Sequence, residues 1–468
     1  MCDRSGPDTG AALCLEAIGQ QDTYLLGGDT PFKYTPKRHS NFRKFHRNYV
    51  IHKPRTASDG WPFSETIKYT LDPRSMGDLL CNMYIKIDLP ALSSGRTYAD
   101  QIGRHLFKSI TLKADEVELE KYFDDWGLIH DELYNDLSER RSSIYSINRG
   151  LNNGFSLNTN GVIVSTYKSS VYIPIPFFFS RKYESDDYET NQPKRPYFPL
   201  CAINKQKLLL EFEFRPQSFF TDETSPLTLE NFNLVTEEIT LEPYERAFIT
   251  NNKQTMITDV FRKHPSTDTV VGENILRHQL VPKKRVKTIH WFLRNKKYEN
   301  EDETRGSGSS IEEYTFQNRF NLTKRPSYNR FIDSLSDDVM TNAKLYINGE
   351  DLPNVSSVDN IYYKNIVTFF SRLSTSTKNI YSYTFSMNPR NVDPSGSLDF
   401  SQLKSNRTIL EMELDKDLTD EYTLNMYYTC YETFIFENGY VSSQVDNLNS
   451  LNGEGGMNAD PENCRIIY

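Results

Sequence analysis

Apolar and polar side chains alternate along much of this 468-residue chain in short runs, at the period of two that marks pleated strands. Met83, Ile85, Ile87 and Leu89 stand against Asn82, Lys86 and Asp88, and Pro90 ends the run. Leu208, Leu210, Phe212 and Phe214 alternate with Leu209, Glu211, Glu213 and Arg215; Leu410, Met412 and Leu414 oppose Glu411, Glu413 and Asp415. Each run predicts a strand with one packed face and one wet face. Residues 107–120 predict a strand, a short turn and a second strand, and residues 342–352 repeat that character around Asn348-Gly349, the dipeptide that best tolerates a tight hairpin turn. Residues 234–241, 409–415 and 424–436 predict further strands. Val171-Tyr-Ile-Pro-Ile-Pro-Phe-Phe-Phe179 is strongly apolar but carries two prolines, which places part of it at an edge or bend where a missing N–H donor costs nothing. Helical spacing in the first half is confined to Trp126, Ile129, Leu133 and Leu137, with Asp124 or Asp125 positioned to cap the first turn.

Many short strands, long polar loops and almost no helix predict an all-β protein built from sandwiches. One sheet could not hold them, since open sheets rarely exceed about ten strands before splitting. Residues 1–45 are expected to form an N-terminal arm, residues 46–247 a first sandwich and residues 248–468 a second, with Glu242-Pro-Tyr-Glu-Arg246 as the hinge. The shared style of the two halves predicts an internal duplication.

Composition adds 29 Tyr and 28 Phe, residues that favour pleated surfaces and packed interfaces. The net charge of −9 argues against a protein that coats nucleic acid, and no specific nucleic-acid binding is expected. The charge is uneven, however. Residues 30–58 contain no Asp or Glu, while Lys33, Lys37, Arg38, Arg43, Lys44 and Arg47 accumulate there with Lys53 and Arg55. Such an arm suits an acidic surface, a phosphate-rich membrane face or a partner protein, and equally suits lying along its own subunit or a neighbour. Six widely separated cysteines fit reduced thiols rather than a disulfide framework or zinc knuckle. No run of eighteen apolar residues occurs and the start lacks the pattern of a secretory signal, so a cytosolic chain is expected.

Candidate chemistry is sparse. None of the eight histidines forms a His-x-x-x-His pair, and the clusters Gly27-Gly28-Asp29 and Gly306-Ser307-Gly308 lack the Lys-Ser/Thr tail of a phosphate loop. Glu299, Glu301, Asp302 and Glu303 lack the ligand order of a calcium loop. Gly308-Ser309-Ser310-Ile311-Glu312 has no second glycine for a nucleophile elbow. The basic run Pro282-Lys-Lys-Arg-Val-Lys287 resembles an import signal, but its apolar neighbours place it in a strand with Lys and Arg outward. No catalytic, cofactor-binding or metal-binding residue is assigned, and no cofactor is expected.

Several segments together carry a resemblance. Ala17-Ile-Gly-Gln-Gln-Asp-Thr-Tyr-Leu25 with Phe32 and Arg38-His-Ser-Asn-Phe42, then Arg74-Ser-Met-Gly-Asp-Leu-Leu80, the 107–126 block, Val171-Tyr-Ile-Pro-Ile-Pro-Phe177, and Pro394-Ser-Gly396 with Asp399-Phe-Ser401, resemble the major capsid proteins of nucleocytoplasmic large DNA viruses. The likeness spans most of the chain. Residues 242–248 only approximate the basic pattern expected in close relatives. The resemblance implies a double jelly roll, two eight-stranded antiparallel β-sandwiches side by side with one short helix and long loop insertions. It further implies a homotrimer of pseudo-hexagonal outline that tiles an icosahedral shell against neighbouring capsomers, with penton and minor capsid proteins as partners, in a virion assembled in the host cytoplasm. On this reading the basic arm faces inward, toward an internal viral membrane or its proteins, and residues 180–195, 264–273 and 295–310 are candidates for outer tower loops or contacts with neighbours. Phe177, Phe178, Phe179, Tyr427, Tyr431 and Phe434 are expected at a sandwich core or at the seam of the trimer. The competing readings are a receptor- or glycan-binding β-sandwich component of a particle, and a membrane-shaping assembly scaffold.

Overall fold

The computed structural model describes residues 46–443, apart from 53–60, 94–95, 97, 100, 141–155, 158–162, 165–168, 182–195, 222, 283, 300–318, 325–336, 353–357 and 392. Antiparallel sheets dominate it. In the first half the principal strands are β1 (His46–His52), β2 (Thr66–Leu71), β3 (Leu79–Leu89), β4 (Phe107–Ala114), β5 (Val117–Phe123), β6 (Ser169–Pro174), β7 (Leu208–Phe214) and β8 (Thr228–Thr240). Helix α1 (Asp124–Leu133) follows β5, and α2 (Pro243–Asn251) follows β8. The second half contributes β9 (Gln254–Lys263), β10 (Ile275–Gln279), β11 (Arg285–Asn295), β12 (Met340–Ile347), β13 (Glu350–Leu352), β14 (Tyr381–Thr384), β15 (Ile409–Leu414) and β16 (Tyr422–Glu437), to which β17 (Tyr440–Ser443) is added. A helical segment, α3, runs through Tyr362–Ile366 and Val367–Phe370 between β13 and β14.

The strand order of the second half repeats that of the first. One sheet of the first half runs β1-β8-β3-β6 and the other β2-β7-β4-β5; in the second half the orders are β9-β16-β11-β14 and β10-β15-β12-β13. Each number is its predecessor plus eight, so the duplication legible in the pattern of the sequence is a duplication of connectivity. The alternating runs behave as their periodicity requires. Met83, Ile85, Ile87 and Leu89 of β3 are buried with Asn82, Lys86 and Asp88 on the other face, and β7 and β15 alternate likewise. The β12–β13 hairpin turns at Asn348 (φ +56°) and Gly349 (φ +94°), a pair of positive φ values that suits the right-handed twist of the strands it joins.

Four expectations need correction. The helix ends at Leu133, so Leu137 lies beyond it and is 61% exposed. Residues 242–246 do not form a simple hinge but open α2, because Pro243 occupies the first helical turn, where its missing N–H costs nothing, and Glu245 suits the positive end of the dipole. With α1, α2 and α3 the structure holds more helix than the single short one expected. Finally, Lys287 does not point outward from β11: it is fully buried, donates to the Asn391 carbonyl oxygen at 3.0 Å and sits 3.5 Å from Asp259.

Two apolar cores result. The second packs Trp291, Tyr363, Tyr381 and Met412 between the sheets of the second half. The first fills the first half but continues across it to Val260, Phe261, Phe292, Tyr427, Phe434 and Phe436 of the second, so the halves share packed surface.

Candidate assembly surfaces and the seam between the halves

The two halves are joined through α1. Phe123 enters the helix in extended conformation, and Asp124 and Asp125 occupy its first turn, where backbone N–H groups favour anions. All ten residues of α1 are buried. Gly127 makes the close approach possible: a Cβ there would collide with the Tyr122 hydroxyl and the Arg104 guanidinium. Trp126 stacks on Phe261 of β9 with ring centroids 3.6 Å apart, and Phe261 stacks in turn on Tyr427 of β16 at 5.2 Å.

Around this stack the seam is ionic. Asp124 accepts from Arg215 and Arg319, each at 2.9 Å. Asp125 pairs with Arg294 and accepts the Tyr427 hydroxyl at 2.8 Å. Arg294, with no exposed surface, also reaches Glu299 at 3.0 Å, and Arg319 reaches it at 3.4 Å. Three carboxylates therefore face three guanidinium groups, and the cluster is neutral by composition. Burial opposes the charge on Asp125, but Arg294 and Arg319 outweigh it and hold its carboxyl well below the usual range. A second ionic group lies beside it. Glu120 pairs with Arg181 and accepts the Phe178 amide at 2.8 Å and the Phe261 amide at 3.1 Å, while Arg181 donates to the Asp259 carbonyl oxygen at 2.8 Å. Desolvation is the larger influence on Glu120 and raises its pKa in spite of Arg181. At the far end of α1, Glu132 accepts the Thr377 amide at 2.8 Å and the Ser376 hydroxyl at 3.1 Å, and Tyr134 meets His290 of β11 at 3.0 Å.

This arrangement fixes one half against the other. The carboxylates of the seam are paired with its guanidinium groups, and the described residues contain no cluster of metal-binding side chains.

The candidate residues fall into distinct places. Phe177, Phe178 and Phe179 are fully buried within the chain, where Phe178 packs on Phe434 of β16 at 5.1 Å; they lie at the contact of the two halves. Tyr427 and Phe434 are buried in the same core. Tyr431 is half-buried and its hydroxyl oxygen accepts the Ser395 amide at 3.2 Å. Of the basic arm only Arg47 lies among the described residues; it sits on β1 and pairs with Glu237 of the adjoining strand. Lys33, Lys37, Arg38, Arg43 and Lys44 lie outside them, as do most of loops 180–195 and 295–310. Phe178→Ala is expected to cost about 3–5 kcal/mol, the usual loss for a phenyl ring removed from a filled core, read as a lowered urea midpoint; a change below about 1 kcal/mol would mean that the site collapses around the cavity.

Sequence reasoning missed two surfaces. Tyr49 and Ile51 of β1 and Tyr172 of β6 are exposed on the outer face of the sheet β1-β8-β3-β6, with Tyr84 of β3 6.3 Å from the Tyr172 ring. Beside them a groove of about 490 Å³ opens between β3, β6 and α1. The other surface is α3, whose Phe369 and Phe370 are 74% and 75% exposed. The available signal was the crowding of Ile361, Tyr362, Tyr363, Ile366, Val367, Phe369 and Phe370 into one short segment, more apolar surface than a single packed face uses.

The chain matches two family models in succession, "Major capsid protein N-terminus" over residues 30–243 and "Large eukaryotic DNA virus major capsid protein" over residues 245–448. It is 26% identical over 183 residues to a major capsid protein of Pyramimonas orientalis virus, covering 37% of this chain and 41% of that protein. It is 29% identical over 133 residues to one of Phaeocystis pouchetii virus, covering 26% of this chain and 24% of the relative. The matched stretches thus span less than half of these curated relatives. Among solved structures, the chain resembles the quasi-atomic model of the PBCV-1 virus capsid with a TM-score of 0.65 at 16% identity, covering 89% of this chain and 99% of that one. The Faustovirus major capsid protein follows at 0.58 and 11%, covering 86% and 92%. These neighbours share the double jelly-roll fold.

Proposed function

The chain belongs to the major capsid proteins of large eukaryotic DNA viruses, and from that premise we propose that it builds the icosahedral shell of the virion as a homotrimer. The observation that carries the reading is the repeated strand order, β1 to β8 and then β9 to β16, locked by a buried seam into one fixed pair. Two similar sandwiches held at a constant angle make each subunit a double wedge, and three copies then present six similar units around one axis. Such a body tiles a flat face through many modest contacts, which is the chemistry of a shell rather than of an enzyme. The family match favours this over a receptor- or glycan-binding component and over a membrane-shaping scaffold.

Finer assignments follow from the same reading. The division places an arm at residues 1–45 and jelly rolls at 46–247 and 248–468. Lys33, Lys37, Arg38, Arg43 and Lys44 supply the inner surface with positive charge for an internal membrane or minor capsid proteins, while Arg47 is already offset by Glu237. Neighbouring capsomers and pentons meet the outer rim, and assembly takes place in the host cytoplasm. Light scattering of the purified chain is expected to give the mass of a trimer, and electron microscopy hexagonal plates of capsomer size. Monomers without ordered arrays would overturn the proposal.

A further inference from the structure

The correspondence between the halves extends to their helices, with one difference. α1 follows β5, and α3 follows β13, the strand of the same rank in the second half. α1 is wholly buried because the outer face of the sheet β9-β16-β11-β14 covers it, through Phe261, Tyr427, Arg294 and His290. α3 buries Tyr363, Lys364, Val367 and Thr368 against its own half. Its opposite side carries Ile366, Phe369 and Phe370, with Ile361 just before it, at 42%, 74%, 75% and 51% exposure. The sheet of the first half that corresponds to the receiving one is β1-β8-β3-β6, and its outer face is likewise open among the described residues, with Tyr49 61%, Ile51 63% and Tyr172 43% exposed. The groove of about 490 Å³ lies on this face, bounded by Tyr84, Tyr172 and the His130 and Asn135 end of α1.

We propose that α3 of one copy docks on the outer face of β1-β8-β3-β6 of a second copy of this chain, repeating between chains the contact that α1 makes within one. The inference rests on the trimeric reading and names the surface that reading leaves open. An exposed helix side and an exposed sheet face of matching rank are the two halves of a head-to-tail contact, and a head-to-tail contact closes into a ring when the rotation permits. If the step from the first half to the second is repeated by the step from the second half to the next chain, three chains close six units. Two adjacent phenyl rings at the centre of such a contact are the large rigid groups that dominate interface energetics.

The test uses the full chain in light scattering across a dilution series, with circular dichroism as the check of folding. Phe369→Glu with Phe370→Glu is expected to raise the dissociation constant of the trimer by about 100-fold or more, as for loss of an interface hot spot, while the spectrum and melting temperature stay unchanged because both rings are exposed in the monomer. Ile51→Glu with Tyr172→Glu, on the receiving face, is expected to do the same. Val271→Glu, 53% exposed on the loop between β9 and β10, serves as the control and is expected to leave the trimer intact. Trimers that survive either pair of changes overturn the inference while the trimeric reading stands, and equal dissociation by the control overturns it as well. A wild-type chain that is monomeric at all concentrations ends both.

Discussion

Arg294→Ala is expected to destabilise the protein by about 3–5 kcal/mol, the usual penalty for removing one member of a buried ion pair. Most of that penalty comes from what remains. Asp125 loses its paired guanidinium inside a seam in which α1 is wholly buried, whereas Glu299, 27% exposed, loses one of two but keeps Arg319 and contact with water. The Tyr427 hydroxyl, which donates to Asp125 at 2.8 Å, is left bound to a carboxyl under strong pressure to take up a proton. Urea denaturation of the variant at neutral pH measures the loss. A companion variant that replaces the group together, Arg294→Leu with Asp125→Leu and Tyr427→Phe, is expected to recover much of the stability, because apolar groups of similar volume avoid the desolvation that the ions incur. Equal losses in the single and the combined variant would show that packing geometry, and not uncompensated charge, governs the seam.

Acidification between pH 6.5 and about 4 is expected to destabilise the chain before Asp125 titrates. Burial, assisted by Arg181 and Arg104, pushes the His130 pKa down to about 3, and burial alone does the same for His290. Both rings are neutral in the folded protein and take up protons at about pH 6.5 once unfolded. The unfolded chain therefore binds more protons at every pH below that value, and stability falls as the pH falls through the window from 6.5 to 3. Each histidine removes up to about 1.4 kcal/mol per pH unit, less near 6.5 where the unfolded ring is only half protonated, so the pair accounts for roughly 3 kcal/mol between pH 6.5 and 5. Asp125 acts later: its folded pKa lies below the ordinary carboxylate value, so its contribution is complete above about pH 4 and is lost only in stronger acid. Urea midpoints at pH 7, 6 and 5 test this, with His130→Phe expected to flatten the slope. A midpoint constant over that range would refute the assignment.

The strands of this fold are legible in its sequence because their signal is local. An alternation such as Leu208, Leu210, Phe212 and Phe214 needs only neighbouring residues to be read, and the Asn348-Gly349 turn needs only two. The seam is not local. Asp124 is visible as a helix-capping candidate, but its partners Arg215 and Arg319 lie 91 and 195 residues away, and nothing in either neighbourhood announces the meeting. Lys287 follows the same logic, since an outward lysine is the right expectation for a strand until Asp259 of β9, one strand removed in the sheet, and the Asn391 carbonyl arrive in three dimensions. α2 escaped for a different reason. It buries only Ile249, so it has no apolar stripe to betray it, and its proline points equally to a turn.

The reach of the seam also bears on how the chain is made. Asp125 emerges from the ribosome 302 residues before Tyr427, a delay of about 15–60 s at ~5–20 residues per second. Early in that interval Trp126 lacks the Phe261 ring on which it finally stacks, and Asp125 lacks Arg294, made 169 residues after it. The nascent chain is thus obliged to wait, soluble and incomplete, for its own last long strand.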